Sequence, residues 1–230
     1  MRTIGLIGGM SWESTAEYYR ILNESVRDRL GGLHSARVIV DSLDFAEVAA
    51  LQSAGAWTEA GQLLADRAAR LEQAGADLVV LATNTMHLVA DAIQARLSVP
   101  FLHIGDAAAD AIEAAGVTVV GLLGTRFTME NPFLVDHLSR RGLRVLLPPA
   151  QDRTLVHDVI YDELVQGVVR EESRLAYAEV IDRLVAAGAE GVLLGCTEIE
   201  LLVTPGWTRV PTFPTTRLHA EAAAAAALAP

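Results

Sequence analysis

A chain of 230 residues, 51% hydrophobic and 20% charged, has ample material for one large globular domain or two small ones. Its formal net charge of −11 repels phosphate backbones, and no Arg-rich run with interleaved aromatics offsets it, so no nucleic-acid partner is expected. All 18 basic residues are Arg; without Lys the chain can form neither a Schiff base to pyridoxal phosphate nor a Walker A phosphate loop.

The first apolar run, "TIGLIG", passes into Gly8-Gly9 and Trp12 without the long apolar core of a signal peptide. It reads as the first strand of a cytoplasmic protein. No later run approaches the roughly 20 residues a bilayer demands, so no membrane partner is expected. The single cysteine, Cys196, excludes an internal disulfide and fits a reducing compartment.

Further strand-like runs follow in order: "ARVIVDSL", "LVVLAT", "VPFLHI", "VTVVGLLG", "LRVLLP", "GVLLGC" and "VPTFP". They are continuously apolar, as parallel strands covered on both faces are, and helical patterns separate them. The spacing of Ser14 and Glu17 predicts a capping box for a first helix that stops before Gly31-Gly32. Two later patterns, "WTEAGQLLADRAARLEQAG" and "ESRLAYAEVIDRLVAAG", repeat the scheme.

The segments after those two helices match without a gap: "AGADLVVLATNT" from Ala74 lies over "AGAEGVLLGCTE" from Ala187. Gly5 and Gly121, and the Val-Pro pairs at Val99 and Val210, recur at nearly the same offset. The expected fold is therefore α/β with two pseudo-symmetric, Rossmann-like or flavodoxin-like halves, each built on a mostly parallel sheet. The expected boundaries are 1–98 plus 214–230 for the first half and 99–213 for the second, with the Ala-rich tail returning to the first half as a helix. In open parallel sheets ligands bind beyond the carboxyl ends of the strands. If the halves face one another across a pseudo-twofold axis, the matched residues Thr83 and Cys196 point into one active site between them. Such a pair suits taking a proton from one face of a carbon and returning it on the other. A lone cysteine is more commonly a buried small hydrophobe, but this one stands at a strand end and a helix start, where free N–H groups favour a thiolate.

"GLIGGMSWEST", "TNTMH" and "GCTEI", with "YY" at Tyr18-Tyr19 and "LGTRFTME" from Leu123, resemble the cofactor-independent aspartate/glutamate racemase family, in particular the bacterial amino-acid racemases that carry "TNTMH". The resemblance implies a homodimeric isomerase without cofactor or metal, acting on a small-molecule acidic amino acid. It implies Cys196 and Thr83 as the catalytic pair, and Asn84, Thr85 and Thr197 as holders of the substrate's α-carboxylate and ammonium. Met10 and Ser11, at a helix start suited to a carboxylate, with Gln52, Thr125, Thr128 and Glu198, complete the expected contacts; His87 and His219 take supporting roles. Three departures stand out. Thr83 replaces the usual cysteine, Gln166 stands where relatives carry a cation for a distal carboxylate, and Pro214 occupies the place of an acid. A single thiol also suits a decarboxylase of a substituted malonate, and a non-catalytic amino-acid-binding homologue is a third reading.

Overall fold

The computed structural model describes residues 1–204 and 206–229 and divides into two compact units, 1–104 with 216–230 and 105–215. The first unit runs β1 (Ile4–Gly8), α1 (Trp12–Leu30), β2 (Val38–Ser42), α2 (Phe45–Ala54), α3 (Trp57–Gln73), β3 (Leu78–Leu81), a 3₁₀ turn (Thr85–Val89), α4 (Ala90–Gln94) and β4 (Phe101–Leu102). The chain then passes through α5 (Ile104–Ala114), β5 (Val119–Leu123), α6 (Arg126–Glu130), α7 (Phe133–Arg140), β6 (Arg144–Leu146), α8 (Ala150–Asp162), a 3₁₀ turn (Leu164–Gln166), α9 (Glu171–Ala186) and β7 (Gly191–Leu194). A third 3₁₀ turn (Thr197–Leu201), β8 (Thr212–Pro214) and α10 (Thr215–Leu228) complete it.

Each unit carries a four-stranded parallel sheet, ordered β2-β1-β3-β4 in one and β6-β5-β7-β8 in the other. The order is the same once the second set is renumbered, so the repeat read from the sequence is a repeat of topology. In both sheets the chain starts in the middle, steps to one edge and returns past the first strand, leaving a switch point between β1 and β3 and another between β5 and β7.

The repeat extends to small devices. Asp77 takes the Thr3 N–H on its carboxylate at 2.6 Å and returns its own N–H to the Thr3 carbonyl at 2.8 Å. Its counterpart Glu190 takes the N–H groups of Thr118 and Val119 at 2.7 and 3.1 Å and donates to the Val119 carbonyl at 2.8 Å. An acid at the matched position thus fixes the start of each central strand. Gly5 and Gly121 are matched for a packing reason. A Cβ on Gly5 would meet the Ala76 and Leu71 side chains at 2.9 and 3.1 Å, and one on Gly121 would meet Leu184 at 2.8 Å.

Three expectations are revised. The first helix begins a turn earlier than the Ser14–Glu17 spacing predicts: Ser11 is extended (φ −95°, ψ 174°) and accepts the Ser14 N–H at 3.2 Å, so it is the cap. Glu17, a turn further in, is free to pair with Arg20 instead. β4 pairs with β3, so residues 99–104 run with the first unit rather than the second. β2 is only partly covered: it is an edge strand whose Val38 and Ile39 pack against the two core clusters on its opposite faces, while Val40 is exposed. In α10, Ala220, Ala223, Ala224 and Ala227 are fully buried and pack with Ile4, Leu6, Tyr18 and Val80 of the first unit. No described helix is long and apolar enough to cross a membrane.

Candidate active site

Residues around the two switch points include most of those singled out in the sequence. In the second unit β7 ends at Leu194, and Thr215 donates its hydroxyl to that residue's carbonyl at 2.9 Å, fixing the strand end. Gly195 donates to the Leu123 carbonyl at 2.7 Å, and a Cβ on it would meet that same oxygen and the Thr128 side chain, both at 3.1 Å. The chain is pressed flat here and delivers Cys196, half-buried, as the cap of the 3₁₀ turn Thr197–Leu201. Its sulfur donates to the Glu198 carboxylate at 2.8 Å.

That pairing sets the protonation state. Burial pushes the Cys196 thiol well above its ordinary value, the negative charge of Glu198 pushes it further, and the thiol's hydrogen bond to that carboxylate holds its proton. The backbone N–H groups of Glu198 and Thr197 pull the other way and are outweighed. The thiolate expected from a helix start is corrected accordingly: the free N–H groups exist, but a carboxylate two residues on dominates them. The resting group is a thiol with a proton acceptor already in contact.

Across the switch point, Thr125 caps α6, its hydroxyl oxygen accepting the Thr128 N–H at 3.3 Å. The next residue, Arg126, is exposed, and its guanidinium has no ion-pair partner among the described residues. Its backbone N–H donates to His157 Nδ1 at 3.2 Å. Burial and the Arg126 charge lower the His157 pKa, and the His157 ring lies against Tyr161, with centroids 4.6 Å apart. Burial raises the Tyr161 pKa, and so do the charges of Cys196 and Glu198. Arg126, His157 and Tyr161 thus form a chain of contacts that leads toward the thiol, with Tyr161 the member that feels its charge, and no motif marks any of the three as a site residue. "GTRF" directly after a central strand was the available signal for Arg126; His157 and Tyr161 sit on α8, which carries no motif. Gln166 is exposed at the end of the 3₁₀ turn Leu164–Gln166, which packs against Thr197–Leu201. Pro214 pairs in register with Leu194 and carries no acid.

In the first unit Thr83 stands two residues beyond β3, as Cys196 stands two beyond β7. It is half-buried, and a 3₁₀ turn follows it too. Asn84 is buried, Thr85 half-buried, and Gln52 on α2 reaches the Met86 sulfur at 3.0 Å. After β1, Gly9 adopts φ +88° with Leu43 backbone where a Cβ would be, so only glycine fits. Thr15 accepts the Gly9 N–H at 2.8 Å and donates to the Ser11 carbonyl at 2.8 Å. The Met10 side chain packs into the core with Ile7, Leu43 and Met86. The Met10–Ser11 peptide is cis.

Both histidines are bound at both ring nitrogens. His87 pairs through Nδ1 with the Thr83 carbonyl at 2.8 Å and accepts the Ile104 N–H at Nε2, 3.1 Å. His219 pairs through Nδ1 with the Tyr18 hydroxyl at 2.8 Å and through Nε2 with the Leu102 carbonyl at 2.9 Å. Among the described residues, no group of three His, Cys, Asp or Glu side chains could hold a metal ion.

Two parallel α/β units with matched strand-end stations define the two-domain fold of the amino-acid racemases. The chain belongs to the Asp/Glu/Hydantoin racemase family, whose model matches residues 7–223. A candidate Asp/Glu racemase from Yersinia pestis is 50% identical over the whole of both chains, with a TM-score of 0.96. An aspartate racemase homologue from Pyrococcus horikoshii is 34% identical over 99% of both chains, with a TM-score of 0.90. The Picrophilus torridus aspartate racemase shares the fold at 19% identity, covering 99% of this chain and 94% of its own, with a TM-score of 0.73.

Proposed function

We propose that this protein is a cofactor-independent racemase of an acidic amino acid that moves a proton at the α-carbon, with Cys196 as one proton carrier and Thr83 as the other. The observation that carries the reading is the Cys196–Glu198 pair at the end of β7, 2.8 Å apart, in a chain that matches the racemase family over nearly its whole length. A protonated thiol can deliver its proton to a planar carbanion. In the opposite direction Glu198 can take the thiol proton while sulfur takes the one on carbon, so that Cys196 need not rest as a thiolate.

Thr83 has the matched place in the first unit, but an unassisted hydroxyl is a far weaker acid than a thiol, whose ordinary value is about 8.5. It serves as a donor, directly or through a bound water, and the two directions of reaction are unequal. Arg126 supports an acidic substrate: it is an exposed cation at the start of α6, just beyond the β5 strand end, with no ion-pair partner among the described residues, in a chain that has no Lys to supply one.

Solution NMR in D₂O with each enantiomer of aspartate and glutamate tests the reading. The expected result is deuterium at Cα with inversion, and a loss of about a hundredfold or more in Cys196→Ser. Release of CO₂ from substituted malonates without Cα exchange of amino acids would instead assign the chain to decarboxylation. Ligand binding with no exchange in either protein would assign it to binding alone.

A further inference from the structure

Resting on that reading of Thr83, we propose that His87 is the positioning residue of the Thr83 station, acting as a two-ended clamp in one fixed tautomer. The imidazole is buried, with 3% of its surface exposed, and its partners dictate where its proton sits. The Ile104 N–H can only donate, so Nε2, 3.1 Å away, must accept and carry no proton. The proton is therefore on Nδ1, which donates it to the Thr83 carbonyl at 2.8 Å. One neutral ring ties the peptide group of Thr83 to Ile104, the residue at which the chain leaves the first unit. Phe101, His103 and His219 pack around the ring, with centroids at 5.8, 4.6 and 5.7 Å.

The internal repeat shows that packing alone does not demand this clamp. Carried two residues past the ungapped match, the same offset sets His87 on Glu200, which is half-buried on the third 3₁₀ turn. The second unit keeps the same strand, step and turn with no imidazole there. The two stations also differ in their carrier. Cys196 is governed through its side chain by Glu198. Thr83, a poorer acid and base, depends on placement, and misplacing a reacting group by about 1 Å can cost about a hundredfold.

The two ends can be cut separately. In His87→Asn the side-chain amide can keep the donor to Thr83 and lose Ile104; in His87→Gln the longer side chain can keep an acceptor for Ile104 and lose Thr83. The expected result is inversion retained within several-fold by His87→Asn and lowered about a hundredfold by His87→Gln, through kcat and not KM, with similar melting midpoints. Equal loss in both variants, or loss that follows the midpoint, overturns the proposal. ¹⁵N chemical shifts of the His87 ring in the unmodified protein give a readout independent of turnover. A protonated Nδ1 with a bare Nε2 is expected, and the reverse tautomer refutes the clamp. Absence of any Cα exchange in the unmodified protein, with the expected tautomer, refutes instead the racemase reading and with it the positioning role.

Discussion

At the scale of single residues, the charge beside the sulfur sets how Cys196 behaves, and it gives a signed prediction. Glu198 raises the thiol's pKa through its negative charge and its hydrogen bond. Replacing it by Gln removes the charge while keeping the size, so the thiolate becomes easier to form and the pKa falls. Because the chain has one cysteine, alkylation by iodoacetamide reports this group alone. The rate–pH profile of Glu198→Gln is expected to move to lower pH, and a profile that stays put or moves up contradicts the assignment. Burial, the largest cause of the shift, remains in the variant, so the profile should not fall to that of a free thiol. Arg126 yields a second test. Arg126→Met should raise KM for aspartate about tenfold or more through loss of a charged hydrogen bond, while neutral amino acids gain no such penalty. Equal effects on both ligand classes would remove Arg126 from substrate recognition.

At the scale of elements, the match between the two units has unequal energetic weight. A Cβ on Gly5 meets the Ala76 Cβ at 2.9 Å, an atom fixed to the backbone, whereas one on Gly121 meets first the Leu184 Cδ1 at 2.8 Å, the mobile end of a side chain. Gly5→Ala should therefore destabilise by about 1–3 kcal/mol and Gly121→Ala by less; denaturant midpoints measured side by side check the order. The elements were also the most legible part of the sequence. All eight apolar runs are strands, and the central four, β1, β3, β5 and β7, are the most continuously buried, because cover on both faces leaves little but hydrophobic residues in a central parallel strand. The α1 start was misplaced because Ser11 and Ser14 both satisfy cap chemistry, and only the backbone angle at Ser11 chooses between them. The thiolate expectation failed for a similar reason. Sequence adjacency shows that N–H groups and Glu198 lie near Cys196, but their balance depends on which atoms touch. His157 and Tyr161 were illegible because a fold brings α8 to the β7 strand end, and spacing along the chain does not.

At the scale of the whole molecule, the legible features were those the chain repeats. Two copies of one strand-helix scheme gave the sheets and the matched Thr83 and Cys196 stations, since duplication shows in sequence wherever packing constrains both copies alike. The partition of the chain was less legible: Val99-Pro100 looks like the start of a new unit, yet it introduces the last strand of the first.

The alanine face of α10 has a consequence for synthesis. The ribosome releases every strand of the sheet that holds Cys196 before it releases the helix that covers Ile4 and Leu6. The unit begun first is thus the one finished last. While it waits for its closing helix, its nascent apolar surface is the part of the polypeptide most in need of a chaperone.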